Sequence, residues 1–185
     1  MARPANTNIC VNCGLCCDGS YLTFVPLRNG DNQEALEKAG IALYQEKSSV
    51  CFDLPCPAYH NGICMVYNDR PVVCREYQCG LLIKHNNGRI DTANALTLIA
   101  TTVRLRNEVR TALESLLNPG NGIAFQELLR LFTEYVENIP PLERTPETNR
   151  TLLNIASFQA LILKNFKSGD SRSPSIKAGN DEVQK

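Results

Sequence analysis

Residues 10–17 read Cys10-Val11-Asn12-Cys13-Gly14-Leu15-Cys16-Cys17, and the rest of the chain is organised around this stretch. It holds four thiols in eight residues. Thiolates are soft anionic ligands, and cysteines three positions apart can turn both sulfurs to one side of a tight loop. Gly14 suits such a loop, because glycine adopts positive φ without a Cβ clash. The stretch therefore predicts a metal site.

The adjacent pair Cys16 and Cys17 argues against one simple site. Neighbouring side chains tend to diverge, so we do not expect both to bind one mononuclear tetrahedral ion. Either the two thiols serve two sites, or one of them is not a ligand. Further along the chain, four cysteines are expected to supply the second half of the metal site: Cys56, Cys64, Cys74 and Cys79.

Charge and hydropathy limit the partners that we expect. Nineteen basic residues balance nineteen acidic ones, so no bulk field favours nucleic acid or an anionic membrane. No run of about 18 apolar residues suggests a membrane span, and no apolar run behind the first residues suggests a secretory signal. We therefore expect a cytoplasmic protein whose partner is an unknown protein or small molecule. In that compartment disulfides are rare, and nine cysteines is an odd number.

The first half of the chain predicts a cysteine-rich module with little β structure, residues 1–90. Aromatic and β-branched residues at 21–27 predict a short strand. Asp31 and Glu34 have the spacing of a capping box, and apolar residues follow at helical spacing, which predicts a helix over about 32–45.

Residues 50–79 have no helical period and are expected to form the second half of the metal site. Asn61-Gly62 predicts a tight turn that folds Cys56 and Cys64 toward each other. The run from Cys74 to Cys79 predicts one helical turn that presents both sulfurs on nearby faces.

Beyond Asp91, a candidate N-cap, the pattern predicts three long helices. The first has about 25 residues, with Thr102 filling one gap in its apolar stripe, and it ends at residues 118–122. The second spans Phe125 to Val136, and the third opens with Thr145-Pro146, a cap followed by proline. We expect a mainly α fold in which the cysteine module packs on a layer of three to four helices, residues 91–167, as one compact unit. Residues 168–185 are expected to form a disordered tail.

The cysteine pattern also carries a family resemblance. Residues 10–17 spell C-x-x-C-x-x-C-C, and the later runs are Pro55-Cys56-Pro57, Cys64-Met65-Val66-Tyr67 and Arg70-Pro71-Val72-Val73-Cys74-Arg75. Together these runs, between Cys10 and Cys79, resemble the YkgJ-type cysteine-cluster family of zinc- or iron-chelating domains, to which flagellin lysine N-methylase also belongs. The resemblance implies eight metal ligands: Cys10, Cys13, Cys16, Cys17, Cys56, Cys64, Cys74 and Cys79. Cys51 falls outside this set as a spare thiol. Methylase activity is not implied, because the chain has no glycine-rich nucleotide loop after a strand.

Two metal chemistries fit this ligand set. The spacing of Cys10, Cys13 and Cys16 matches the first three ligands of bacterial ferredoxins, which favours an iron-sulfur cluster with a fourth ligand from Cys56, Cys74 or Cys79. Zinc is the alternative, since eight cysteines also make two closed four-thiolate sites. The first case predicts a redox or group-transfer protein, and the second a zinc-stabilised interaction module without catalysis.

Arg70 and Arg75 lie among the cysteines in sequence and are candidate cofactor-binding residues. A four-thiolate cluster is net negative, so their guanidinium groups could donate hydrogen bonds to sulfur and tune its potential. Alternatively, the two arginines cap local turns or pair with Asp69 and Glu76. Glu76 is the one carboxylate between two expected ligands that are close in sequence, but its spacing does not require an acid-base role. No catalytic residue is assigned.

Overall fold

A computed structural model describes residues 9–60, 62–120 and 122–167. The helices in chain order are α1 (Ile9–Cys13), α2 (Gln33–Lys38), α3 (Val72–Glu76), α4 (Gly80–Asn86), α5 (Thr92–Leu117), α6 (Phe125–Glu137) and α7 (Pro146–Leu161). A 3₁₀ turn spans Pro141–Glu143, and a π-helical turn, Ile162–Phe166, follows α7. The strands are β1 (Phe24–Pro26), β2 (Tyr44–Glu46), β3 (Ser49–Asp53), β4 (Tyr59–His60) and β5 (Ile63–Cys64). The predicted mainly α class with little β structure is confirmed.

The long helix α5 confirms the prediction made from its cap and apolar stripe. Asp91 precedes it and accepts a hydrogen bond from the Asn94 backbone N–H at 2.8 Å. The helix ends at Leu117, and Asn118 follows in the left-handed conformation at φ 45°. Thr102 is fully buried, and its hydroxyl donates to the Leu98 carbonyl at 2.8 Å. This bond satisfies the hydroxyl, so a threonine can occupy the apolar stripe.

The other two predicted helices, α6 and α7, pack with α5. The Thr145 hydroxyl caps α7 by accepting from the Thr148 backbone N–H at 3.1 Å, and Pro146 is the first helical residue. The rings of Phe125 on α6 and Phe158 on α7 meet edge to face, with centroids 5.5 Å apart. Ile9, Leu15 and Leu81 join the same hydrophobic cluster, so α1, the cysteine loop and α4 are packed onto the long helices.

The helix predicted over about 32–45 is much shorter. Asn32, rather than Asp31, caps α2 by accepting from the Ala35 backbone N–H at 3.1 Å. The Asp31 carboxylate instead accepts from the backbone N–H groups of Arg28 and Val72. After Ala39 the chain turns at Gly40, which has φ +80°. Because a left-handed glycine ends a helix readily, residues 44–46 are free to pair as β2.

Two small antiparallel sheets lie in the first half of the chain. The first has the order β1-β3-β2, with Val25 opposite Phe52 and Gln45 opposite Val50. The second is the hairpin β4-β5, in which Tyr59 pairs with Cys64. In its predicted turn Gly62 has φ +79°, and Asn61 lies outside the described residues.

A second hydrophobic cluster forms around β1, β3 and α2. Its buried members include Leu36 and Phe52, and Tyr21 packs against both this cluster and the helical one. The Gln126 side chain of α6 also donates to the Ser20 carbonyl at 2.7 Å, close to the cysteine loop.

Within the described ranges, no helix combines the length and the apolar character that a membrane span requires. The predicted tail, residues 168–185, lies outside those ranges.

Candidate metal centre

The cysteine stretch begins as a single helical turn and ends as a tight loop. Cys10 and Cys13 lie one turn apart in α1. Gly14 follows with φ +71°, which confirms the predicted positive φ. A Cβ at this position would lie 1.9 Å from Tyr59 Oη, because the β4-β5 hairpin packs over the loop. Glycine is therefore required here both by conformation and by space.

The described thiols fall into two groups that adjoin at Cys16 and Cys17. In the first group, burial raises the pKa of Cys10 and of Cys16, and raises the pKa of Cys13 to about 12. The charge of Cys79 adds to the rise for all three. Cys79 is thus the cysteine from outside residues 10–17 whose charge acts on all three thiols of the C-x-x-C-x-x-C run.

The second group contains Cys17, Cys56, Cys64 and Cys74. Burial raises the pKa of Cys17 to about 12, and the charges of Cys56 and Cys64 follow as the next causes. Burial likewise raises the pKa of Cys74 to about 12, with Cys17, Cys56 and Cys64 contributing. The pKa of Cys56 is also raised by burial, and Cys64 contributes.

Cys74 and Cys79 do not share one helical turn, contrary to the prediction from sequence. Cys74 lies within α3, which ends at Glu76. Tyr77 then has extended backbone angles, and Cys79 precedes α4 as its N-cap, where its Sγ accepts from the Leu82 backbone N–H at 3.5 Å. Because the extended residue separates the two helices, the two sulfurs enter different thiol groups.

Backbone N–H groups are directed at sulfur in both groups. Such bonds lower the pKa of Cys13, Cys56 and Cys79, opposing the larger effect of burial; the donors come from Leu15, from Ala58 and Tyr59, and from Leu81 and Leu82. A hydrogen bond to a thiolate stabilises its charged form, which is the form that binds metal. These bonds therefore oppose part of the effect of burial, although the pKa of each of the three thiols stays raised.

The thiols of each group are near one another without forming a finished coordination sphere. Within residues 9–60, 62–120 and 122–167, no three side chains of His, Cys, Asp or Glu have the arrangement that would hold an ion. The donor chemistry still suits a soft cation, because each group offers four sulfurs. A change of χ1 rotamer moves a sulfur while the backbone stays in place.

The two candidate arginines differ in position. Arg70 lies near both groups, since its charge opposes the rise in pKa of Cys10 and of Cys74. Its guanidinium stacks on the Tyr67 ring at 3.8 Å from the centroid, and its Nε donates to the Tyr67 carbonyl. Arg75 is exposed in the last turn of α3. Arg28, rather than Arg75, pairs with Glu76 at 2.8 Å on the surface, so Glu76 is not a desolvated acid-base group.

Cys51 lies apart from both groups. It is buried on β3, where its Sγ donates to the Ser49 carbonyl at 3.8 Å. The acidic groups that raise its pKa, after burial itself, are Glu46 and Asp53 rather than any cysteine. This position is compatible with the spare thiol inferred from the sequence.

One ion pair beside the cysteine loop was missed by sequence reasoning. Asp18, directly after Cys17, pairs with Arg106 of α5 at 2.7 Å, and both side chains are largely buried. The pair anchors the loop to the longest helix. The acidic residue beside the motif was visible in the sequence, but its partner lies in a distant part of the chain and carries no local signal.

Comparison with known proteins finds a similarity in the cysteine-rich half. No curated protein and no solved structure matches the chain. Residues 9–95 match the model of the CxxCxxCC family, whose description is "Putative zinc- or iron-chelating domain". The match begins at α1 and extends through α4 into the first residues of α5, and it includes the nine cysteines. Residues 9–95 are therefore similar to the CxxCxxCC family of zinc- or iron-chelating domains, in agreement with the resemblance seen in the cysteine spacing.

Proposed function

We propose that this metal-binding protein holds an iron-sulfur cluster on Cys10, Cys13, Cys16 and Cys79, and that it has a redox or group-transfer role. The observation that carries the proposal is that the charge of Cys79 contributes to the raised pKa of all three thiols of the C-x-x-C-x-x-C run, and that Cys13 and Cys79 pack against the same hydrophobic cluster. In bacterial ferredoxins the same run gives three ligands to one cluster, and the fourth ligand comes from a distant part of the chain.

The surroundings of this group support the proposal. Cys13 and Cys79 pack against the helical hydrophobic cluster, which limits the access of water to one side of the site. Backbone N–H groups of Leu15 and Leu82 point at their sulfurs. Hydrogen bonds to sulfur, burial and nearby charge are the features that set the reduction potential of such clusters.

Arg70 supplies the nearby charge. Its guanidinium is held by the stacking contact with Tyr67 and lies near Cys10. A cation in this position lowers the cost of placing negative charge on four thiolates. When bound, an iron-sulfur cluster supplies electron transfer or an iron site for group transfer.

The test is a metal analysis of protein purified without oxygen. Iron, zinc and acid-labile sulfide are measured together with the visible spectrum. We expect iron with matching sulfide and a broad brown absorption in the wild type, loss of both in Cys13→Ser, and no change in Cys51→Ser. A colourless protein without sulfide, or equal iron in the three proteins, would contradict the proposal.

A second function, a zinc-stabilised interaction module, is favoured by a different observation. An open groove of about 810 Å³ runs along α5, away from the cysteines, and is lined by residues that include Val103, Thr111 and Glu147. In this case the metal contributes folding energy, and a partner binds the helical face. Zinc in a colourless wild-type protein, with unfolding on chelation, would support this function over the first.

A further inference from the structure

We infer that Cys17, Cys56, Cys64 and Cys74 form a second metal site, separate from the first, that takes a single soft divalent ion such as zinc. The inference rests on the proposed function in one respect, which is that the other four cysteines belong to the proposed iron-sulfur site: Cys10, Cys13, Cys16 and Cys79. It assigns one of the two adjacent cysteines, Cys16 and Cys17, to each site.

The backbone joins Cys17 directly to Cys56. The Cys56 N–H donates to the Cys17 carbonyl at 2.8 Å. Next to this bond, a Cβ on Gly19 would lie 2.9 Å from the backbone nitrogen of Pro55, so the two segments are in close contact. Cys56 therefore has a fixed position beside the end of the cysteine loop, although the two cysteines are far apart in sequence.

The hairpin brings Cys64 to the same place. Cys56 begins a turn in which its carbonyl accepts from the Tyr59 N–H at 3.0 Å, and Tyr59 then pairs with Cys64 across β4 and β5. The Met65 N–H donates to the Ala58 carbonyl at 2.8 Å, which holds the returning strand against the turn. The chain between Cys56 and Cys64 is therefore folded back on itself.

Cys74 completes the group from α3. Cys56 and Cys74 both pack against the hydrophobic cluster around β1, β3 and α2, as does Cys16 of the loop, whereas Cys13 and Cys79 pack against the helical cluster. The electrostatic contacts indicate which thiols are the neighbours of Cys74. After burial, the neighbours that contribute most to the raised pKa of Cys74 are Cys17, Cys56 and Cys64.

The donor set determines the class of ion. Four cysteine sulfurs without a histidine or carboxylate form a closed tetrahedral site, which zinc occupies in structural sites with sulfur at about 2.3 Å. The four sulfurs come from four separate segments of the chain: the loop, the turn after Pro55, β5 and α3. An ion bound there would crosslink these segments and stabilise the small sheets.

The test compares two cysteine variants after anaerobic loading with iron, sulfide and Zn²⁺. We expect Cys64→Ser to lower zinc affinity at least about tenfold, measured against a competing chelator, while iron, sulfide and the brown absorption are retained. Cys13→Ser should show the reverse, and Cys51→Ser should match the wild type. Loss of iron and zinc together in each variant, or zinc retained in Cys64→Ser, would overturn the two-site inference.

A ligand-retaining variant covers the case in which Cys64→Ser does not fold. In Cys64→His, X-ray absorption at the zinc edge should show three sulfurs and one nitrogen in place of four sulfurs. An unchanged four-sulfur shell would overturn the inference. If the wild type binds two zinc ions and no iron, and Cys64→His alters one of them, the proposed function fails while the second site stands.

Discussion

Replacing Gly14 by alanine tests whether the cysteine loop depends on the contact with Tyr59. Gly14 has φ +71°, and a Cβ there would lie 1.9 Å from Tyr59 Oη and 2.7 Å from the ring carbon that bears it. The hydroxyl would have to retreat by about 1.5 Å to reach an ordinary contact distance. Because Tyr59 belongs to β4, that movement displaces the hairpin that carries Cys64.

The expected loss of stability has two parts. An L-residue in the left-handed region costs about 1–2 kcal/mol, and the reduced freedom of the unfolded chain returns about 0.4–1 kcal/mol. Overpacking adds about 1–3 kcal/mol. We therefore expect Gly14→Ala to lower the free energy of unfolding by about 1.5–4 kcal/mol.

Gly88→Ala is the matched control. Gly88 has φ +67°, and nothing lies within 4 Å of the position that its Cβ would occupy. Only the conformational part applies, so we expect a loss of about 0.5–1 kcal/mol. Urea unfolding of both variants at equal metal loading, followed by circular dichroism, measures the difference.

A double mutant separates the contact from the backbone effect. In a Tyr59→Ala background the clash is absent, so Gly14→Ala should cost about 1–3 kcal/mol less than in the wild type. Equal losses for Gly14→Ala and Gly88→Ala, or the same Gly14→Ala penalty in both backgrounds, would show that the contact with Tyr59 does not constrain the loop.

Three further predictions concern the contacts around the metal region. Gly80→Ala should destabilise the protein by about 1–3 kcal/mol in urea unfolding, because its Cβ would lie 2.7 Å from the Lys167 carbonyl. Arg106→Met should cost about 1–3 kcal/mol in the same assay, since it leaves the largely buried Asp18 carboxylate without its cation. Arg70→Gln should lower the reduction potential of a bound cluster in a redox titration, because a positive charge beside the thiolates is removed.

Each of these predictions has a control in the same chain. Gly30→Ala is the control for Gly80→Ala. Nothing lies within 4 Å of the position that a Cβ on Gly30 would occupy, so only the positive φ of Gly30 costs stability. Arg104→Met breaks an exposed pair with Glu108 and should cost less than about 0.5 kcal/mol. Arg75→Gln removes an exposed charge and should leave the potential unchanged. Equal effects in a variant and its control would contradict the corresponding prediction.

The long helices were predictable because their signals are local. The Asp91 and Thr145 caps and the apolar stripe through Thr102 each involve residues within a few turns of one another. The same holds for Gly14, whose positive φ follows from a crowded loop. The helix over about 32–45 was predicted too long, because the pattern of apolar residues continued past the turn at Gly40.

The sequence by itself indicates a metal-binding protein, since the spacing and number of thiols favour a soft metal and residues 9–95 match the model of a zinc- or iron-chelating family. Which thiols are neighbours emerges only in the folded chain. The charge of Cys79 contributes to the raised pKa of Cys10, and the charge of Cys17 to that of Cys74, although Cys74 and Cys79 are close together in sequence. These neighbours depend on how the hairpin, α3 and α4 pack against the two hydrophobic clusters, and no local periodicity records that packing.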